Sequence, residues 1–259
     1  MERYERYAVP AIKRAIQVLE VLATSQKDAT LSELCKITKV PKSSLFRILI
    51  TLEAEKMVYQ DHERKKFSLG TKLLELGSAK LGQIDLSTTA RPFLERLARE
   101  TQECVYLGVL DHGQVILLQH IDNRDMWKIV TRLGDTSPAH CTAIGQVLLA
   151  GLPEDEVSRI ASEKGLKRYT KKTITSEARL QKRLEEVRSN GYAIVDGEYK
   201  SDLCAVAAPI RDHTRNVAAA VMFALPSSRA DKKTVVPKLA RALERVGVEI
   251  SRHLGYIED

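Results

Sequence analysis

Apolar residues recur at helical spacing through the early part of the chain, where one proline interrupts the pattern. Leu31, Leu34 and Ile37 follow one another at three-residue intervals, which places them on one side of a helix. Pro41 disfavours a helical conformation at the residue before it, yet it fits the first turn of a new helix. Residues 31–57 therefore predict two short helices joined by a tight turn.

The second of these helices combines an apolar side with a polar, basic start. Its apolar stripe consists of Leu45, Ile48, Leu49 and Leu52. This stripe turns four polar residues outward near the N-terminus of the helix: Lys42, Ser43, Ser44 and Arg47. Short hydroxyls and long cations in that position donate to the phosphates and base edges of DNA. A solvated helix start capped by serine explains the same residues equally well.

A predicted hairpin directly follows the second helix. Residues 57–60 and 67–70 have the composition of short strands, and the polar segment between them ends in three cations, Arg64, Lys65 and Lys66. A hairpin after a recognition-type helix is typical of a winged helix-turn-helix, which presents its hairpin tip to the DNA backbone. This order of elements is more specific than any single residue.

Helical patterns also flank this unit. An N-terminal helix is predicted from apolar positions that we expect to pack on the next two helices: Val9, Ile12, Ile16, Leu19 and Leu22. Residues 71–101 are predicted to contain two helical segments that connect the domains. Ser87 is the predicted cap of the second segment, and Pro92 is expected within its first turns, where proline is best tolerated.

Apolar, β-rich runs dominate the second half of the chain. Two of them flank a glycine turn at 111–113 and predict a hairpin, and another strand is expected at 128–134. Three further strands are expected at 192–199, 203–212 and 216–226, with helices between and after the strands. Helices around a sheet built from hairpins predict an α+β sensory domain, and no glycine-rich phosphate-binding motif is present.

Length and charge both favour a division into two domains. The chain has 259 residues, whereas a domain usually contains about 100 to 200. Residues 1–80 contain 15 Lys and Arg against 10 Asp and Glu, a net charge of +5, while the whole chain carries +7. The basic excess therefore lies in the part with the predicted DNA-binding elements.

Neither a membrane span nor an export signal is evident in the sequence. No run of about 18 apolar residues occurs, and the first residues lack the apolar core of a secretory signal. We therefore expect a cytoplasmic protein without a membrane partner. Four scattered cysteines without zinc-site spacing predict reduced thiols and give no set of metal ligands, although this spacing does not exclude a metal: Cys35, Cys104, Cys141 and Cys204. We expect no cofactor.

Three segments of the first half have a familiar pattern: AIKRAIQVLEVLA, LSELCKITKVPKSSLFRILITLEAEKMV and KFSLGTKLLELG. Residues 8–78, which contain them, resemble the N-terminal domain of IclR-type transcriptional regulators. One departure is the hairpin tip, where HERKK replaces the glycine-containing turn that is usual in the family. The resemblance implies a winged helix-turn-helix domain at 1–70, a connecting helix at 71–86 and a GAF-like domain at 87–259 for effector binding and oligomerisation.

The second half contains PAHCTAIGQVLLAGLP and GYAIVDGEY…LCAVAAPI…AVMFALP, which resemble the effector domain of the same family. In glyoxylate- and aromatic-acid-responsive relatives, the matching backbone donors contact the effector together with a cysteine that Cys204 matches. The resemblance implies an effector carboxylate at a helix N-terminus formed by His140, Cys141, Thr142, Ala143 and Ile144. A loop histidine and two thiols that fill the core are the alternative interpretation.

Four further positions complete the predicted effector site. Asp196 and Glu198 are two apart in a predicted strand, so both are expected on one face, either beside the pocket or at a solvated strand end. Met222 and Ala224 occupy positions where relatives that bind small polar acids often have serine. The resemblance therefore implies a less polar pocket and a ligand with an apolar or aromatic body.

The residues and the resemblance together predict a sequence-specific regulator of transcription rather than an enzyme. We expect it to bind a palindromic operator in double-stranded DNA as a homodimer or homotetramer, and to respond to a small-molecule effector. A metal- or thiol-responsive regulator is the first alternative, based on Cys104, Cys141, Cys204 and His140. The second is a Cys/His enzyme built on His140 and Cys141, although adjacent residues rarely meet in the required geometry.

Overall fold

The computed structural model describes residues 8–25, 28–82, 85–122 and 131–257. The chain divides into two compact units, residues 1–83 and 84–259, each with its own hydrophobic packing. We describe the two units separately. Among the described residues, no helix has both the length and the apolar composition needed to cross a membrane.

The first unit combines short helices with a small antiparallel sheet. Its helices are α1 Pro10–Thr24, α2 Leu31–Thr38, α3 Lys42–Ala54 and α4 Thr71–Gly82. Its strands are β1 Ala29–Thr30, β2 Val58–Asp61 and β3 Lys66–Leu69. The β2–β3 hairpin confirms the prediction, and β1 adds a strand to the free edge of β3 that the sequence pattern did not indicate.

Local signals at each junction produce the helix-turn-helix. α2 begins at a capping box, because the Thr30 hydroxyl accepts a hydrogen bond from the Glu33 backbone and the Glu33 carboxylate accepts one from the Thr30 backbone. The helix ends at Lys39, whose backbone is left-handed with φ 58°. Pro41 is the N-cap of α3, so it lies just before the helix rather than in its first turn.

The core of the first unit contains the predicted apolar sides of α2 and α3 but only part of that predicted for α1. In α1, Val18 and Leu22 are buried, whereas Ile12, Ile16 and the N-cap residue Val9 are 50–57% exposed. The prediction that these three residues pack on the neighbouring helices was therefore wrong. α1 carries apolar residues on two sides, and spacing alone does not show which side packs.

The described part of the second unit is a six-stranded antiparallel sheet between helices, which confirms the predicted α+β class. Its strands are β4 Val105–Asp111, β5 Gln114–Ile121, β6 Thr136–Pro138, β7 Ala193–Asp196, β8 Leu203–Arg211 and β9 Val217–Pro226. Its helices are α5 Asp85–Thr101, α6 Ala143–Ala150, α7 Glu154–Lys164, α8 Glu177–Asn190 and α9 Val235–His253. The strand order is β6-β5-β4-β9-β8-β7, so the predicted β4–β5 hairpin joins the β8–β9 hairpin at the centre.

Two element boundaries differ from the predictions. α5 begins at Asp85, before the predicted cap Ser87, so Pro92 lies inside the helix rather than in its first turns. The buried side of α5 packs in the core on both sides of the proline, and this packing sustains the helix against local propensity. The strand expected at 128–134 lies partly outside the described residues, and its remainder forms a turn before β6.

The sheet of the second unit is buried on both faces. One face packs against α6, α7 and α8 and includes Ala205, Ala207, Ala220 and Ala224. The other face packs against α5 and α9 and includes Val206, Ala208, Val221 and Phe223. We call these the α6 face and the α9 face. Because side chains alternate along a strand, consecutive residues of β8 and β9 contribute to opposite faces.

Candidate nucleic-acid interface and ligand site

α3 has an exposed face opposite its buried side. Lys42, Ser43 and Arg47 are exposed, as predicted for the outward side, while Ser44 is half-buried. No side chain caps the N-terminus of α3 in the described structure. Its first backbone N–H groups and the positive end of the helix dipole therefore accompany the two cations, an arrangement that favours an anionic partner.

Two apolar residues on this exposed face were missed by the sequence analysis. Phe46 is 51% exposed and Ile50 is 46% exposed. They lie three or four positions from Ser43 and Arg47, which places all four side chains on one side of the helix. The available signal was that both are apolar residues outside the predicted stripe. An exposed aromatic beside an arginine widens the candidate contact surface of α3.

The hairpin tip is held in shape by Asp61. Its Oδ1 accepts hydrogen bonds of 3.0 Å from the backbone N–H groups of Glu63 and Arg64. Lys65 has φ 53°, the left-handed conformation that glycine adopts most easily in such turns. The three predicted cations lie at or beside this tip, with Arg64 and Lys65 exposed and Lys66 half-buried at the start of β3.

The predicted ligand segment folds as a short 3₁₀ turn followed by α6. Gly145 permits their close packing, because a Cβ at this position would lie 2.2 Å from the Ala139 carbonyl oxygen. Thr142 is the N-cap of α6, but its hydroxyl donates to the Pro138 carbonyl oxygen at 2.8 Å instead of capping the helix. The N-terminus of this buried helix therefore has no side-chain cap among the described residues.

His140 and Cys141 are buried in this turn and are not arranged for catalysis. The His140 Nε2 donates to the Lys167 carbonyl oxygen at 3.0 Å. Burial lowers the pKa of His140, and that hydrogen bond only partly opposes the effect. Burial, with a smaller contribution from Glu198, raises the pKa of Cys141 to about 12. A protonated thiol beside a backbone-bound histidine does not form a nucleophile–base pair.

Glu198 joins a buried polar network at the same place. Its carboxylate accepts hydrogen bonds from Arg183 Nη1 at 2.8 Å and from Gln146 Nε2 at 2.9 Å. The Gln146 amide also donates to the His140 carbonyl oxygen at 3.2 Å. Burial raises the pKa of Glu198, while Arg183 and then Gln146 act in the opposite direction. The network connects α6, α8 and the segment after β7.

The prediction that Asp196 and Glu198 share one face was wrong. β7 ends at Asp196, and Gly197 turns the chain with φ 75°, so the alternation of a strand does not extend to Glu198. Asp196 lies on the α9 face, where it accepts a hydrogen bond from Ser227 at 3.0 Å and pairs with Lys232 at 2.9 Å. The hydrogen bond from Lys232 lowers the pKa of Asp196.

Cys204 also lies on the α9 face, so the structure does not bring it together with Cys141. The next residue, Ala205, is on the α6 face and pairs directly with Ala224. Burial raises the pKa of the Cys204 thiol to about 11. The four-residue set considered for metal or thiol sensing is therefore divided between the two faces, because adjacent strand residues point in opposite directions.

Four predicted effector residues remain together on the α6 face. Ala143, Ile144 and Ala224 are buried there, and Met222 is half-buried against the same core. None of the four side chains carries a hydroxyl or a charge. All four belong to one hydrophobic core, to which the start of α6 contributes Ala143 and Ile144.

Two protein-family models match the chain. The IclR helix-turn-helix domain matches residues 11–62. The model described as "Bacterial transcriptional regulator IclR C-terminal" matches residues 78–252. Together they cover both compact units.

Curated relatives and solved structures agree with this match. The HTH-type transcriptional regulator XynR of Escherichia coli K12 is 30% identical over 96% of this chain and 98% of its own. KdgR of the same organism is 31% identical over 96% of this chain and 94% of its own. The crystal structure of an IclR transcriptional regulator from Alicyclobacillus acidocaldarius matches with a TM-score of 0.80 at 29% identity, covering 95% of this chain and 99% of that one.

The buried network predicts an unusual pH dependence for Glu198→Gln. Because the folded-state pKa of Glu198 is raised, ionisation of this group opposes folding as the pH rises above its ordinary value of 4.5. As the pH rises above 4.5, we therefore expect the free energy of unfolding of the variant to increase relative to that of the parent protein. Urea unfolding across a pH series measures the difference.

Asp196→Asn is the matched control for this experiment. The folded-state pKa of Asp196 is lowered, so its stabilising contribution is present above the ordinary value of 3.8 and is lost as the pH falls below it. The parent protein should therefore be the more stable one at higher pH in this pair. The raised pKa of Glu198 is contradicted if the stability difference between Glu198→Gln and the parent protein does not change with pH. It is also contradicted if that difference changes in the same direction as the difference for Asp196→Asn.

Proposed function

The chain belongs to the IclR family of transcriptional regulators, and we propose how its residues perform the family's two tasks, DNA binding and effector sensing. Its relatives are transcriptional regulators rather than enzymes. We assign DNA binding to residues 1–70, connection to 71–86, and effector binding with oligomerisation to 87–259. The single observation that carries the DNA assignment is the exposed, uncapped and basic start of α3.

α3 is the proposed recognition helix in the major groove. Its free N–H groups, with Lys42 and Ser43, are suited to phosphate contacts at the helix start. Arg47 lies one turn further along and is long enough to donate two hydrogen bonds to a guanine edge. Phe46, on the same face, suits an apolar contact with a thymine methyl group. Ser44 is half-buried and contributes a shorter contact at most.

The wing, which is the β2–β3 hairpin Val58–Leu69, is proposed to bind the DNA backbone rather than the bases. Arg64, Lys65 and Lys66 place positive charge at the tip of a short hairpin, and phosphate contacts of this kind are independent of sequence. Asp61 does not cancel this role, because its carboxylate is engaged in closing the turn. Its ion pair with Arg64 is 3.8 Å long and leaves that arginine 76% exposed.

We propose a homodimer or homotetramer on a palindromic operator. A single helix-turn-helix module buries too little surface for tight specific binding, and two-fold symmetry doubles its contacts at a fixed half-site spacing. The exposed apolar residues Ile12 and Ile16 of α1, with Val9 at its N-cap, support association, since grouped apolar residues rarely face water without a partner.

The effector is proposed to be a carboxylate with an apolar or aromatic body. The uncapped, buried start of α6 offers backbone N–H groups to an acid group near Thr142. Met222 and Ala224 line the adjoining face without offering a hydroxyl, which disfavours a small polar acid. Cys204 and Asp196 are left out of this site, because they lie on the α9 face.

Arg47→Ala tests the recognition helix. Loss of a base-edge contact should weaken binding to the operator by about 1 to 3 kcal/mol and relax the base preference at one position. Fluorescence anisotropy with operator fragments defined by footprinting, each carrying one substituted base pair, measures both effects. Arg159→Ala, in the other unit, is the control and should bind normally. Uniform weakening on every fragment would place Arg47 on a phosphate instead.

Neutralising Arg64, Lys65 and Lys66 together tests the wing. Affinity should fall for specific and non-specific DNA alike, and the salt dependence should flatten by about 0.9 logarithmic units per lost phosphate contact. A control triple variant removes exposed cations of the second unit: Lys164, Lys171 and Lys182. An unchanged salt slope in the wing variant would exclude the wing from the interface.

Benzoate and glyoxylate distinguish the proposed effector classes. A ligand at 100 times its Kd stabilises the folded state by about 2.7 kcal/mol, so benzoate should raise the Tm and glyoxylate should not. The double variant Met222→Ser, Ala224→Ser restores two hydroxyls and should reverse this preference. Differential scanning calorimetry measures the four combinations. Stabilisation of the parent protein by glyoxylate alone contradicts the proposed pocket.

A further inference from the structure

We propose a binding site for a divalent transition metal, formed by Cys104, His120 and Asp122 at one end of the β4–β5 hairpin. The Cys104 sulfur, a ring nitrogen of His120 and a carboxylate oxygen of Asp122 all lie within 4.8 Å of one another. In the part of the chain that the structure describes, this group of three has the donor spacing of a metal site. It shares only Cys104 with the four residues that the sequence suggested for metal or thiol sensing.

Strand pairing explains why these three residues converge. Tyr106 pairs with His120 across β4 and β5, and Val105 pairs with Ile121. Cys104 and Asp122 each lie two residues from a member of the first pair, so alternation brings them to the same face as Tyr106 and His120. Sequence analysis missed the set, because His120 and Asp122 join Cys104 only through this register.

The imidazole of His120 is oriented as a ligand would be. Its ring stacks on Tyr106 with centroids 4.8 Å apart and an interplanar angle of 6°, which fixes the plane of the ring. The Nε2 atom is buried and lies 2.7 Å from Asp122 Oδ1, within the distance of an ion pair. This pairing holds an imidazole nitrogen and a carboxylate oxygen side by side, and a metal ion would bind in place of their direct contact.

The donor set selects the class of metal. One thiolate, one imidazole and one carboxylate suit Zn²⁺ or Co²⁺, whereas Mg²⁺ and Ca²⁺ prefer oxygen ligands alone. Tetrahedral donors around such an ion are about 3.5 Å apart, so side-chain shifts of about 1 Å complete the geometry. Three protein ligands leave the fourth position open for water or another small ligand.

The site lies within the second unit on the α6 face. Cys104 and Tyr106 belong to the same core as Ala224, and Tyr106 pairs with Met222 on its other side. The Cys104 thiol is buried, while Asp122 retains 45% exposure of its side chain. This arrangement gives the metal a solvent-facing entry through Asp122 and a buried thiolate behind it.

Cobalt titration of the full-length protein tests the proposal. After treatment with a chelator, Co²⁺ should bind at one per chain and produce the near-ultraviolet charge-transfer band of a cobalt–thiolate bond. Mg²⁺ at the same concentration should not displace it. Cys104→Ser should remove the band, and Asp122→Asn or His120→Gln should weaken Co²⁺ binding by about tenfold or more.

The chain offers two matched controls. Cys35→Ser removes a half-buried thiol of the other unit, and His112→Gln removes an exposed histidine that pairs with Asp111 at 3.0 Å without a nearby cysteine. Both should retain the full band and affinity. Circular dichroism checks that each variant folds. If Cys104→Ser does not fold, the Co²⁺ affinity of Asp122→Asn decides whether the site exists, because Asp122 is half-exposed and its replacement does not disturb the core. Absence of the band in the parent protein, its survival in Cys104→Ser, or equal losses in the control variants would overturn the site.

Discussion

Burial of both faces of one antiparallel sheet is the constraint on which the second unit depends. Each residue of β8 and β9 must fit either the α6 core or the α9 core, because neither face is left to solvent. The short side chains of the alanines at 205, 207, 220 and 224 let α6 pack close to this face of the sheet. A slip of one residue in register would exchange the contents of the two cores. The chemical character of each face is thus set by register.

Polar groups gather where strands end and that constraint relaxes. Glu198 lies two residues beyond the end of β7, and Cys104 immediately precedes the first residue of β4. His120 and Asp122 lie at the end of β5, beside Cys104. Glu198, Cys104 and Asp122 lie just outside the ladder, so their side chains can converge with those of neighbouring residues such as His120, which still pairs with Tyr106. Both the buried carboxylate network and the proposed metal site use this freedom.

The first unit obtains its binding geometry from short-range interactions. The Thr30–Glu33 capping box starts α2. Asp61 then closes the wing tip over a left-handed Lys65. Hydrogen bonds between residues that are close in sequence fix a loop at a modest entropic cost, because the chain segment that they close is short. The exposed face of α3 and the charged tip are the surfaces that result.

The sequence by itself determined the elements that depend on local chemistry. Helical spacing and Pro41 predicted α2 and α3, and paired apolar runs around Asp111–Gly113 predicted the β4–β5 hairpin. Tertiary structure decided which of two apolar sides of α1 is buried, since periodicity is equal for both. It also decided that Cys204 faces α9 and that Cys104 meets His120. Those contacts follow from strand register and from packing over long separations, which no single segment of the sequence contains.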